Sequence, residues 1–198
     1  MLVLLDNGHG GIINHVYQTP GKRSPVWADG AQLFEGEFNR AIVNGIIEQL
    51  TRLKIPYVNI APEYEDISLA ERVKRANRYA NEKCFYLSVH SNAGGGKGSE
   101  VYTSIGQTKS DGIATVFARV YKDVFPERVF RSDYSDGDPD KEINFYVLKN
   151  TVMPAILTEN FFMDNEEECK SLLMTITGRQ RIIEYHVKNI IAIKQELF

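Results

Sequence analysis

Four side chains in this sequence, His9, Glu35, His90 and Glu159, could serve one centre of metal and acid–base chemistry. Two imidazoles and one carboxylate make up a catalytic zinc site with three protein ligands and one open position. A second glutamate beside such a centre has the chemistry of a general base. His9 stands inside N-G-H-G-G (7–11), directly after the apolar run Leu2, Val3, Leu4 and Leu5. The flanking glycines let the backbone turn sharply and leave the imidazole unobstructed. They do not make a nucleotide loop. A dinucleotide fingerprint needs its third glycine where Ile13 stands, and it opens into a helix, which Pro20 and Pro25 forbid here. No G-K-[ST] follows either.

The elements around these residues decide whether they can meet. Strand one spans residues 2–6, so His9 lies just past its end. In CFYLSVHS (84–91), Cys84, Tyr86, Ser88 and His90 alternate with Phe85, Leu87 and Val89, so His90 closes a strand. Glu159 closes PAILTEN (154–160). From Glu35 to about Leu53, Phe38, Ile42, Ile46, Leu50 and Leu53 recur at helical spacing. Glu35 shares that core-facing stripe, whereas Glu37 is about 200° around the helix and is expected toward solvent. Asn39, one turn beyond Glu35, is expected to hold its carboxylate. Further strands are expected at 55–60, 98–105 and 144–148, and further helices after Ser68, over 109–125, after Asn165 and from Arg179 onward. Ser68 and Glu71 have capping-box spacing. This alternation predicts one α/β domain over 1–198, with a mostly parallel mixed sheet of about six strands and helices on both faces. In such sheets sites gather beyond the carboxyl ends of the strands, where His9, His90, Glu159 and the start of the Glu35 helix all fall.

The bulk numbers fit this picture. The 198 residues are 43% hydrophobic and 25% charged, as in ordinary globular domains. A formal net charge of -3 argues against a nucleic-acid partner. Cys84 and Cys169 have neither zinc-knuckle nor disulfide spacing and read as inert buried thiols. No apolar run approaches the ~20 residues of a membrane span, and nothing before strand one has the pattern of a secretion signal.

The motifs resemble those of the zinc-dependent N-acetylmuramoyl-L-alanine amidases of the amidase-3 type, which cleave bacterial peptidoglycan. The matching pieces are DNGHGG (6–11), EGEFN (35–39), SVHSNA (88–93), GSEVY (98–102), FYVLKNT (145–151) and PAILTENFFMDNEEE (154–168), in the family's order. The resemblance implies that His9, Glu35 and His90 bind one zinc ion and that Glu159 is the catalytic glutamate. It implies hydrolysis of the amide between N-acetylmuramic acid and L-alanine, with peptidoglycan as partner. Asn7, Asn160 and Phe161 depart from the usual family residues without removing a ligand or the base. A zinc carboxypeptidase or deacetylase would share the ligand set; a silent wall-binding domain would be expected to lack a ligand or Glu159. No separate wall-binding domain, membrane insertion or particular oligomer is predicted. The expected setting is the cytoplasm until release to the cell wall, as for a phage or prophage endolysin, or a trimmed secreted hydrolase.

The remaining candidates stand around this centre. Asn39, Asn92, Glu100 and Arg131 are candidates for support of the site or contact with substrate. The loop 132–142 fails as an EF-hand, because Lys141 stands where glycine is needed and Val147 where glutamate is needed. It is expected to wall the substrate groove, with Arg128, Arg131 or Lys141 near peptide carboxylates. His15 is expected to be exposed, His186 structural, and Arg72, Lys74, Arg75 and Arg78 to form a solvated helix face.

Overall fold

The computed structural model describes residues 1–198. β1 (Leu2–Asp6) leads into a small hairpin of β2 (Ile12–Ile13) and β3 (Val16–Tyr17), then α1 (Glu35–Arg52), β4 (Tyr57–Asn59) and α2 (Leu69–Ala76). β5 (Cys84–Asn92), β6 (Glu100–Thr103), α3 (Lys109–Val124), β7 (Lys141–Glu142) and α4 (Tyr146–Asn150) follow. β8 (Ala155–Phe162), the short α5 (Glu166–Glu168) and the long α6 (Ile176–Glu196) complete the chain. The six-stranded sheet runs β4-β1-β5-β8-β6-β7. β4, β1, β5 and β8 are parallel, and β6 runs antiparallel to β8 with β7 parallel to β6. No helix is long and apolar enough to cross a membrane.

The alternation in β5 sorts its side chains to two unequal layers. Phe85, Leu87 and Val89 join Val3, Leu5 and Ile156 in a core of 32 buried residues shared with α1, α3 and α6. Tyr86, Leu4, Ala155 and Leu157 face the other way, into a core of 11 residues closed by Val73 and Ala76 of α2 and Val147 and Leu148 of α4. Those two helices have only eight and five residues. At about 1.5 Å per residue they are too short to cover the full length of the strands. Asp6 at the end of β1 lines an open cavity there, with Ser88 and His90 of β5 and Glu159 of β8. Both of these strands run on, to Asn92 and Phe162, past the ends expected at His90 and Glu159.

Three expectations change. Residues 144–148 are not a strand: the outer place beside β6 is taken by Lys141–Glu142, and Tyr146–Asn150 turns into α4, burying Val147 and Leu148. Arg72 is not on a solvated face but is 2% exposed, because it neutralises the buried Asp6 of β1. The α2 capping box is half formed. Ser68 accepts from the Glu71 backbone N–H, while the Glu71 carboxylate pairs with Lys74 and Arg75 instead. The long loop after strand one also contains the β2–β3 hairpin, whose turn residues Asn14 and the exposed His15 have φ of 47° and 65°.

Candidate metal centre and active site

The loop after β1 is shaped by what lies against it. His9 has φ 62° and Gly8 φ 25°, a left-handed turn that throws the imidazole back over the sheet edge. A Cβ at Gly8 would lie 2.2 Å from Cε1 of His90, so only glycine lets the two motifs meet. The start of α1 seats against the same loop. Gly36 is required there, because a Cβ would lie 1.9 Å from the Gly10 carbonyl oxygen. No side chain of Phe34 caps α1. The free N–H groups of its first turn are met by the preceding loop: Glu35 N–H donates to Lys22 O, and Gly36 N–H to the Tyr17 hydroxyl. Asn39 donates from Nδ2 to Gly8 O at 3.3 Å, so it holds the glycine loop and not the Glu35 carboxylate as its spacing suggested. Glu37 does not simply face water; it accepts from the Ile12 N–H at 2.7 Å and ties down the hairpin.

These constraints bring His9, Glu35 and His90 together. Glu35 Oε1 lies 3.3 Å from His9 Nε2 and 3.0 Å from His90 Nδ1, and the two rings stand edge to face with centroids 4.9 Å apart. The three donor atoms lie within 4.8 Å of one another, close enough for one ion to touch all three. Burial alone would raise the pKa of Glu35, but the His9 and His90 rings set against its carboxylate hold it well below the usual carboxylate range. Burial lowers the pKa of His9 and so favours the neutral, ligating ring. His9 Nε2 is buried and lacks a well-formed hydrogen bond, an atom left for an electrophile. A borderline cation such as zinc suits this donor set and orphaned nitrogen.

Below the centre lies a polar stack that residue spacing did not disclose. His90 Nε2 is 3.1 Å from Ser88 Oγ, which in turn lies 3.2 Å from Asp6 Oδ2. With Nε2–H donating to Ser88 and the Ser88 hydroxyl donating to Asp6, the Nδ1 lone pair of His90 is left facing Glu35. Asp6 is itself 1% exposed and also accepts from Tyr86 and Arg72. Burial would raise its pKa, but the Arg72 guanidinium and the Tyr86 hydroxyl bring it below the usual value. Ser88 could have been found from its alternation with His90, since residues i and i+2 of a strand share a face. Arg72 could not, because its partner is 66 positions away.

Glu159 sits beside His90 across the β5–β8 register. It lines a cavity of about 500 Å³ together with His9, His90, Lys22, Phe145 and Tyr146. Its Oε2 is buried with no hydrogen-bond partner. Desolvation first, and the nearby Glu35 carboxylate second, push its pKa well above the usual value. A carboxyl group so placed exchanges protons near neutral pH more readily than an exposed one. On the other side of Glu159, Glu100 of β6 pairs in register and is 2% exposed. Asn92, Arg131 and Lys141 all reach Glu100, not the metal centre. Arg128 is drawn away from the groove by both oxygens of Glu167. His186 is fully buried behind the sheet among Phe117, Tyr185 and Thr158, a structural position.

Comparison with known proteins follows the same lines. Residues 3–192 match the Amidase_3 family, described as N-acetylmuramoyl-L-alanine amidase. Over 111 residues the chain is 35% identical to the N-acetylmuramoyl-L-alanine amidase CwlM of Bacillus licheniformis, covering 54% of this chain and 39% of that protein. It is 31% identical over 191 residues to the endolysin of Bacillus phage SPP1, covering 96% of this chain and 64% of that one. The chain thus spans about two fifths to two thirds of the length of these relatives. The fold superposes on the N-acetylmuramoyl-L-alanine amidase structure from Clostridium difficile 630 with a TM-score of 0.79 at 23% identity, covering 100% of this chain and 98% of that one. For AmiC2 of Nostoc punctiforme the TM-score is 0.78 at 22% identity, covering 99% and 98%.

Proposed function

Since the chain belongs to the Amidase_3 family of N-acetylmuramoyl-L-alanine amidases, we propose that it hydrolyses the amide joining N-acetylmuramic acid to L-alanine in peptidoglycan. The observation that carries this reading is the meeting of His9 Nε2, Glu35 Oε1 and His90 Nδ1 at one point, beside the unpartnered carboxyl of Glu159. His9, Glu35 and His90 would hold one zinc ion, which when bound supplies Lewis acidity toward the amide carbonyl.

The chain's own residues do the rest. Glu159 accepts a proton from the attacking water at its free carboxylate oxygen and returns it to the departing alanine nitrogen, so protons balance over the cycle. The apolar wall of Leu157, Phe145 and Val147 keeps water from competing for that carboxylate. The Ser88–Asp6 stack keeps the His90 ring from rotating out of the ligand plane. The wider family of zinc peptidases and deacetylases could use the same ligands, and it is family membership that selects the muramoyl-alanine bond.

Purified peptidoglycan digested with the chain should release stem peptides that begin with a free L-alanine amine and leave the glycan strands intact, as read by mass spectrometry. New reducing ends, or stems trimmed at their far end, would overturn the assignment.

A further inference from the structure

We propose that Arg131 and Lys141, gathered by the buried Glu100, form a subsite for the free carboxylate of an acidic second residue in the peptide released from the scissile amide. The inference rests on the amidase reading above and names the part of the substrate that lies beyond it.

Glu100 opens β6 directly opposite Glu159, so the two side chains share one face of the sheet. Its carboxylate is held by four donors: Arg131 Nε and Lys141 Nζ on Oε1, Asn92 Nδ2 and the Tyr102 hydroxyl on Oε2. One cation would neutralise it. Two leave a surplus positive charge at the end of the groove, and the surplus is reachable, because the side chains of Arg131 and Lys141 are 40% and 26% exposed. Arg131 spends only Nε on Glu100, and its guanidinium lies 5.3 Å from the centroid of the Phe162 ring. The terminal guanidinium nitrogens make no hydrogen bond within the fold. They form the flat fork that suits a carboxylate.

This fork continues the wall of the metal cavity. Lys141 pairs in register with Tyr102, whose ring packs 5.3 Å from Phe145, and Phe145 lines the cavity with Glu159. Adjacent strands lie about 4.8 Å apart, which puts the β6–β7 edge about 5–10 Å from Glu159. An extended peptide advances at most about 3.6 Å per residue, so two residues beyond the broken amide span about 7 Å. An acidic side group at the second residue is therefore the first that can reach the fork. The buried Glu100 acts as a positioning residue: it brings two cations together at a spot where they would otherwise repel.

Two muramoyl pentapeptides test this, one with the second-residue carboxylate free and one with it converted to a carboxamide. The zinc-loaded chain should cleave the acid with about tenfold higher kcat/KM, the difference lying in KM. Arg131→Ala should bring that ratio close to one, and Arg131→Lys should restore part of it. The variant leaves Glu100 with Lys141, Asn92 and Tyr102, so the buried carboxylate stays partnered. A ratio unchanged by Arg131→Ala, or kcat lowered equally on both substrates, would overturn the subsite. A calorimetric titration with L-alanyl-γ-D-glutamate keeps the two readings apart. Tighter binding of this acid than of its carboxamide, lost in Arg131→Ala, supports the subsite even if neither pentapeptide is cleaved, whereas equal binding of both overturns it.

Discussion

Replacing Glu159 by glutamine should lower activity and raise stability together, and both effects follow from one orphaned oxygen. Oε2 is buried without a partner, and desolvation followed by the Glu35 charge raises the carboxyl pKa well above 4.5. Glutamine keeps the shape of the side chain and removes both the proton acceptor and the charge. Loss of a general base costs about 10²–10⁴-fold in kcat, or about 3–5 kcal/mol of barrier. For stability, a raised folded-state pKa means that the folded chain binds the proton more tightly than the unfolded one. The contribution of the group is then favourable in acid and is lost as pH rises from the unfolded value toward the folded one. At pH 7 the metal-free wild type carries this penalty and the variant does not. Each pKa unit is worth about 1.4 kcal/mol, and 1 kcal/mol moves the Tm of a chain this size by about 2–4 °C. Metal-free Glu159→Gln should thus melt about 3 °C or more above wild type at pH 7, with the gap closing toward pH 4. Muropeptide release at matched zinc content and calorimetric melting across pH read the two effects. Activity within tenfold of wild type, or a lower Tm at pH 7, would refute the reasoning.

Other perturbations separate the remaining parts of the site and its support. His9→Ala should lose zinc on equilibrium dialysis, while Glu159→Gln retains it; loss of metal from both would make Glu159 a ligand. Arg72→Leu leaves the Asp6 charge buried and unpaired, which should cost about 3–5 kcal/mol by urea denaturation, and a smaller loss would mean that Asp6 is protonated or reaches water. His186 donates from Nδ1 to Ile182 O and accepts the Thr158 hydroxyl at Nε2, and burial lowers its pKa to about 4. The unfolded chain takes up that proton from about pH 6.5 downward and the folded chain resists until about pH 4, so about 3 kcal/mol should be lost between those values. His186→Leu should flatten that slope, and a slope equal to wild type would place the acid sensitivity elsewhere.

Much of this was legible in the chain itself. The apolar alternation of 84–91 set Ser88 and His90 on one face, and the 3.6-residue stripe of α1 turned Glu35 inward. Glycines at 8 and 10 marked a sharp turn that leaves the His9 imidazole unobstructed. These are local properties, fixed by periodicity and by the freedom of a residue without a side chain. Residues 144–148 were misread because a short apolar run is compatible with strand or helix. Only the occupied place beside β6 decided for α4. Arg72 looked solvated for the same reason, since its helix is amphipathic and its charge is answered by a residue from another strand.

The sequence by itself determined the α/β order and the edge of the sheet at which His9, Glu35, His90 and Glu159 gather. Tertiary structure decided which nitrogens face Glu35, that Asn39 serves the glycine loop, and that Glu100 collects two cations beside Glu159. These depend on contacts between elements far apart in the chain, where a difference of a few tenths of an ångström selects the partner and no periodicity records it.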